Sequence, residues 1–402
     1  MYRQDQLKPK DTRYIHRFVT NGEAGNIIVT TIQELIALLD GDAVKSFEAD
    51  TTFKRVAGSF NEWEVSLFYK PLNRAITIAR VYVDRASTNF FERVFDELRA
   101  VKLELTGKPI AFKALAPNGH ILAFNSDMDS AQVLAAARSF LKDNNVEYSG
   151  IDANMPPEKF APRTIKLCVM HAKRAILDFR GLVPEHDFHH LFKFGEHIHS
   201  EETLQQFSDF VRRLNGKKIQ DWWDHKAVSA WIFPCLVRSL SPMTDIDWES
   251  TPSTTNIGES QHHWTNTQTS TKLSLVEAIE TARIVDFRVV DDIHLALNSG
   301  VLVNPYNHAA HRATKNMARH ASTSPLDQEI AEAKRMQKEA GKTKGKGKPA
   351  RVLAGNSSSG RVRSTAACLA AIATPPDVVT SPSMALREQT RVVAQAVIPA
   401  TW

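Results

Sequence analysis

Along the first 150 residues the apolar positions first alternate and then recur every three to four, and that change of period lays out the elements. Thr31 to Leu39 predicts a short helix, followed by strand-like runs at Val44 to Phe53, Trp63 to Tyr69 and Ala75 to Val83. Asn61 and Pro71-Leu72-Asn73-Arg74 punctuate these runs, so the second and third read as a hairpin. Phe91, Val94, Phe95, Leu98, Val101 and Leu105 share one face of a helix over Asn89 to Leu105. A strand at Ile121 to Asp127 and a helix at Ser130 to Leu141 come next, whereas residues 1–30 carry little pattern.

This β-β-β-α-β-α order is that of a ribonuclease-H-like α/β layer, and residues 31–150 would form its first part. Residues 151–250 read as a mainly helical insertion. Its predicted helices run from Arg163 to Phe179, Leu191 to Phe194, Glu201 to Leu214 and Trp222 to Leu240. Residues 251–321 return to the core with a helix opening near Glu259 and a long one over Lys272 to Leu297. The expected fold is therefore a mixed sheet flanked by helices and interrupted by that insertion. Trp222, Trp223, Trp231 and Phe233 read as the insertion's core, although an exposed member could stack on a flipped base. Over residues 322–402 the composition shifts to Lys, Gly, Ser, Ala and Pro, which predicts disorder apart from a candidate helix at Gln328 to Ala340. Gly341-Lys342-Thr343 is not a phosphate loop, because Met336 stands where the motif needs its first glycine.

Charge refines this picture. The 402 residues carry a formal +5, but from residue 331 onward 12 Lys and Arg face 4 Asp and Glu, which leaves residues 1–330 at −3. The basic tail could hold DNA phosphates, or serve as a linker or nuclear-import signal. No apolar run reaches the roughly 18 residues of a membrane span, and the opening MYRQDQLKPKDTRYIHR lacks a secretion signal, so a nuclear or cytoplasmic protein is expected. Cys168, Cys235 and Cys368 are too few for a disulfide framework or a four-cysteine zinc site.

Three acids carry the candidate chemistry. Asp50 and Asp127 end strands, and Glu259 opens a helix. Carboxylates so placed could hold paired Mg²⁺ or Mn²⁺ ions and activate water or a 3′-hydroxyl for in-line attack on a phosphodiester. Each also has a structural reading. Asp50 could bond local turn amides. Asp127 competes as a ligand with Asp129, and either could cap the following helix. Glu259 with Asn256 matches a capping box, which would turn its carboxylate back to the backbone.

In this order the blocks Asp50-Thr51-Thr52-Phe53, Ser126-Asp127 and Thr255-Asn256-Ile257-Gly258-Glu259-Ser260 resemble the catalytic blocks of DDE-type transposases of the Mutator-like superfamily. Cys168-Val169-Met170-His171 resembles the Cys-x-x-His pair such enzymes carry between the second and third acids. The resemblance covers roughly residues 30–300 and lacks the zinc-binding terminal domains usual in the family. It implies a metal-dependent DNA cleavage and strand-transfer enzyme, with Asp50, Asp127 and Glu259 as catalytic metal ligands. It further implies a DNA partner and a homodimer or larger assembly. The alternatives are an inactive, domesticated DNA-binding derivative and a ribonuclease-H-like nuclease without strand transfer.

Cys168, His171, His262 and His263 are accessory candidates. Zinc is not expected, since Cys168 reads as a small buried hydrophobe and a closed site needs further ligands from His186, His189, His190, His197 or His199. The DNA-contacting residues are not legible.

Overall fold

The computed structural model describes residues 1–20, 25–52 and 55–302. Its strands are β1 (Ile15–Thr20), β2 (Asn26–Thr31), β3 (Ser46–Thr52), β4 (Asn61–Tyr69), β5 (Arg74–Val83), β6 (Ala123–Ser126) and β7 (Ile165–Leu167). They form one seven-stranded sheet in the order β1-β2-β5-β4-β3-β6-β7. Pairing is antiparallel from β1 to β3, while β6 joins β3, and β7 joins β6, in parallel. Parallel neighbours need a crossover. Helix α1 (Thr88–Thr106) leads from β5 to β6, and α2 (Ser130–Leu141) leads from β6 to β7.

The two faces of this sheet differ in chemistry. On one, Phe47 of β3 and Phe124 of β6 pack with Phe95 of α1, Phe140 of α2 and Phe112, with ring centroids 4.7 to 6.2 Å apart. Trp63 of β4 meets Phe95 edge-on at 5.1 Å on the same side. On the other face, Glu62 and Glu64 of β4, Arg80 and Tyr82 of β5, and Glu48 of β3 are all buried. They lie beneath α7 (Asn256–Thr269) and α8 (Leu275–Ser299). Charges withdrawn from water must be paired. Arg80 accordingly bridges Glu62 at 2.8 Å, Glu64 at 2.7 Å and Asp286 of α8 at 2.9 Å. Arg55 pairs with Glu62 and donates to Thr269 Oγ1 at 2.9 Å, the Ala278 carbonyl at 2.6 Å and Thr281 Oγ1 at 3.1 Å. This network ties the last two helices to the sheet.

Between β7 and α7 the chain is helical, with α3 (Val169–Leu177), α4 (Glu185–Phe192), α5 (Glu201–Arg213) and α6 (Lys217–Ala227) as its longer members. Trp223, Trp231 and Phe233 are buried there, and Trp222 is partly buried against Phe179. None of the four is an exposed stacking platform.

Several expected elements differ. The weakly patterned residues 1–30 contribute the β1–β2 hairpin, because Ile27, Ile28 and Val29 are buried in succession and leave no alternation to read. Thr31 belongs to β2, so the helix expected from Thr31 to Leu39 is only Gln33–Ile36 followed by a 3-10 turn at Ala37–Asp40. The helix expected from Arg163 splits into β7, a strand of three buried residues, and α3. Trp222 to Leu240 is likewise broken, into α6, Ile232–Leu236 and a 3-10 turn at Arg238–Leu240. Phe53 and everything from residue 303 onward lie outside the described residues. These include the end of the 251–321 segment, the tail and its candidate helix at Gln328 to Ala340. Among the described residues no helix is long and apolar enough to cross a membrane.

Asp5 fastens the N-terminal segment to β1 and α8. Its Oδ2 accepts the Tyr14 and Ile15 amides at 2.7 Å each, and Oδ1 meets Lys8 at 2.8 Å and Arg283. Burial alone would raise its pKa, but these donors outweigh burial and hold it at about 2. The stability so gained is complete above the ordinary value of 3.8 and is lost as pH falls through about 2. Asp5→Asn is expected to cost about 2 kcal/mol at pH 7 and nothing below pH 2, measured by urea unfolding. An unchanged midpoint at pH 7 refutes this assignment.

Candidate active site

Parallel pairing of β3 with β6 places Glu48 beside Asn125. Asp50 does not end its strand but lies within β3, opposite Glu64 of β4, and Asp127 is the first residue after β6; the two are near enough for their charges to interact. Asp50 accepts the Thr51 amide at 2.7 Å and faces His262 Nδ1 of α7 at 3.4 Å. Burial raises the Asp50 pKa, the His262 charge opposes this, and the nearby Asp127 carboxylate reinforces it. Asp127 accepts Thr255 Oγ1 at 3.1 Å and lies 3.0 Å from His171 Nδ1.

Glu259 reaches the same place from above. The helix carrying it begins at Asn256, so Thr255 rather than Asn256 is the N-cap, and no side-chain cap forms there. Its carboxylate does not fold back on the backbone. It takes a two-pronged ion pair from Arg174 of α3, at 2.6 and 3.0 Å, and lies 3.9 Å from His171 Nε2. Arg174 pulls the Glu259 pKa down against a smaller effect of burial. A capping box does occur one helix later, where Ser274 and Glu277 exchange bonds at 3.3 and 2.9 Å.

Glu48 was missed, although its signal is plain. In Glu48-Ala49-Asp50 the two acids stand two apart on a strand and therefore face the same side. Glu48 is buried, Oε1 accepts the Gly258 amide, and Oε2 has no partner among the described residues. Burial, only partly offset by the Gly258 amide, raises its pKa to about 8. A Cβ at Gly258 would stand 2.9 Å from Glu48 Oε1 and 3.7 Å from Asp50 Cβ, so a larger residue there would displace the Glu48 carboxylate.

The remaining candidates divide. Asp129 is used as the N-cap of α2, accepting the Ala131 and Gln132 amides at 2.8 and 3.3 Å. His262 faces Asp50, while His263, the next residue round the helix, is exposed. Cys168 is not on a mid-helix stripe. It caps α3 directly after β7, where its Sγ accepts the Thr255 amide at 3.3 Å. Burial would raise the thiol pKa, but His171 and Thr255 bring it down to about 7, and the closeness of Asp127 and Cys168 lifts His171 to about 10. The contacts of Arg174 and of Thr255 are not legible in the sequence, because their partners lie 85 and 128 residues away.

Among the described residues one trio of metal-ligating atoms lies within 4.8 Å of one another: Asp127, Cys168 and His171. Asp50, Asp127 and Glu259 do not form such a trio while Glu259 is turned to Arg174. His190, stacked on His197 at 3.8 Å, and His189, beside Glu185, are engaged elsewhere. No protein-family model, curated protein or solved structure matches this chain.

Proposed function

We propose that this chain is a ribonuclease-H-like, metal-dependent polynucleotidyl transferase that cleaves DNA and transfers a strand, using Asp50, Asp127 and Glu259. The observation that carries this reading is the nearness of Asp50, in β3, to Asp127, directly after the parallel-paired β6, with the helix of Glu259 packed against β3 so that all three carboxylates interact electrostatically through Asp127. An antiparallel meander β3-β4-β5 extended by parallel β6 and β7, with a helix in each crossover, supports it. DNA as substrate, action in the nucleus and pairing of two copies rest on the family resemblance alone.

The residues fit a hard divalent cation. Two carboxyls, Glu48 and Asp50, have pKa values pushed up by burial, and Glu48 Oε2 is an orphaned buried acceptor, so the site is short of positive charge. Mg²⁺ or Mn²⁺, held by Asp50 and Asp127 and by Glu259 once it leaves Arg174, would supply Lewis-acid stabilisation of the phosphoryl oxygens and an acidified attacking hydroxyl. The protein's own groups do the rest. Thr255 orients Asp127, and His262 Nδ1 faces the Asp50 carboxylate at 3.4 Å. Arg174, half exposed, turns from Glu259 to a phosphate oxygen.

Nicking of duplex DNA by the purified full-length chain with Mn²⁺ tests this function, and an inert protein at every metal concentration rejects it. A DNA-binding derivative without turnover is the second reading, favoured by the Arg174–Glu259 ion pair, which occupies the third acid. The pair also yields a prediction. Arg174→Ala should tighten Mn²⁺ binding in the absence of DNA by about threefold to tenfold, since the ion no longer displaces a charge-assisted pair. Titration calorimetry reads this directly, and weaker binding in the variant contradicts it.

A further inference from the structure

We propose that Asp127, Cys168 and His171 form a second metal site, for a borderline-soft divalent ion such as Zn²⁺, which shares Asp127 with the carboxylate set. The donor types decide the metal. A thiolate, an imidazole nitrogen and one carboxylate oxygen are ligands of Zn²⁺ or Co²⁺, whereas Mg²⁺ takes oxygen. The three ligand atoms already lie within 4.8 Å of one another, and three protein ligands leave a fourth position for water.

The scaffold is firm. Cys168 directly follows β7 and donates its amide to the Ser126 carbonyl of β6 at 3.0 Å, while Asp127 is the next residue after Ser126. Cys168 and His171 are separated by one turn at the start of α3. His171 Nδ1 is buried and meets no hydrogen-bond acceptor in good geometry, although Asp127 Oδ1 is only 3.0 Å away. That nitrogen is placed for a ligand it shares with the carboxylate. Outer partners are present as well. The Thr255 amide and hydroxyl bond Cys168 Sγ and Asp127 Oδ1, and Glu259 Oε1 faces the other imidazole nitrogen at 3.9 Å.

Cys168 is buried but not merely a hydrophobe, and distant histidines are not needed to complete the set. The third ligand is instead a residue already assigned to catalysis. An ion here withdraws Asp127 from Mg²⁺ or Mn²⁺, so Zn²⁺ should inhibit Mn²⁺-dependent cleavage. Only this consequence rests on the proposed phosphodiester chemistry; the site itself does not.

Cobalt absorption of the full-length chain tests the site without reference to activity. One equivalent of Co²⁺ should produce a thiolate-to-cobalt charge-transfer band that Zn²⁺ abolishes. The band should vanish in Cys168→Ser and persist in Cys235→Ser and Glu259→Gln. His171→Gln, a change at a partly exposed position that tolerates substitution better, should weaken Co²⁺ binding at least tenfold. Absence of the band in the native sequence, its survival in Cys168→Ser, or unchanged affinity in His171→Gln overturns the site, whatever the cleavage assay gives. A normal cobalt band in a chain that never cleaves DNA supports the site and rejects the catalytic reading alone.

Discussion

Replacing Asp50 or Asp127 with Asn, or Glu259 with Gln, should lower Mn²⁺-dependent DNA nicking by about a thousandfold or more in each case, the scale on which loss of a single catalytic group acts. These changes remove charge and keep shape. Asp50→Asn also relieves the buried negative charge that pushes its carboxyl pKa up, so the metal-free protein should not be less stable. DNA affinity should stay within about threefold or rise, because each substitution deletes a carboxylate that repels phosphate. Nicking at the native rate by any one of the three removes that residue from the proposed mechanism. Loss of nicking together with a collapsed thermal transition would instead assign it a structural part.

A second large effect is expected far from any DNA. Arg80→Met should destabilise the protein by about 3 to 5 kcal/mol, the cost of breaking a buried ion pair by removing one partner. Arg80 is fully buried and is shared among Glu62, Glu64 and Asp286. Without it, Glu62 keeps Arg55, while Asp286 and Glu64 keep only hydroxyl donors such as Tyr14 at 2.7 Å and Thr77 at 3.2 Å. Stabilities of small proteins are about 5 to 15 kcal/mol, so much of the folded population is at risk. The deficit should shrink as pH falls, because the orphaned carboxyls can then take up protons. Urea unfolding at pH 5 and pH 8 measures both parts, and a loss below about 1 kcal/mol at pH 8 refutes the network's assigned weight.

That network also marks the boundary of what the sequence discloses. Alternation in Glu62-Trp63-Glu64-Val65 identifies a strand with one polar face, yet it cannot tell a face bathed in water from one covered by two helices. Local pattern locates β3 and β6, but not their ends: β3 runs on past Asp50 to Thr52, and β6 stops at Ser126, one residue before Asp127. It fails at β7, where Ile165, Lys166 and Leu167 are all buried and the neighbouring apolar residues match a helical spacing equally well. Lys166 can be buried there because the carbonyls of Trp248 and Thr251 receive its ammonium at 2.8 and 3.0 Å. Acceptors more than 80 residues away leave no trace beside it in the sequence. Glu259 repeats the lesson: its local context spells a capping box, and Arg174 claims the carboxylate.

The helical excursion between β7 and α7 sets an order on synthesis. Asp50 and Asp127 can become neighbours as soon as β6 leaves the ribosome and docks on β3, whereas the Thr255 hydroxyl that steadies Asp127 emerges 128 residues after it. At about 5 to 20 residues per second that interval lasts roughly 6 to 26 seconds, and closing so long a loop is itself slow. A nascent chain therefore carries a sheet with two of the three acids until the excursion has been made and the helix of Glu259 arrives.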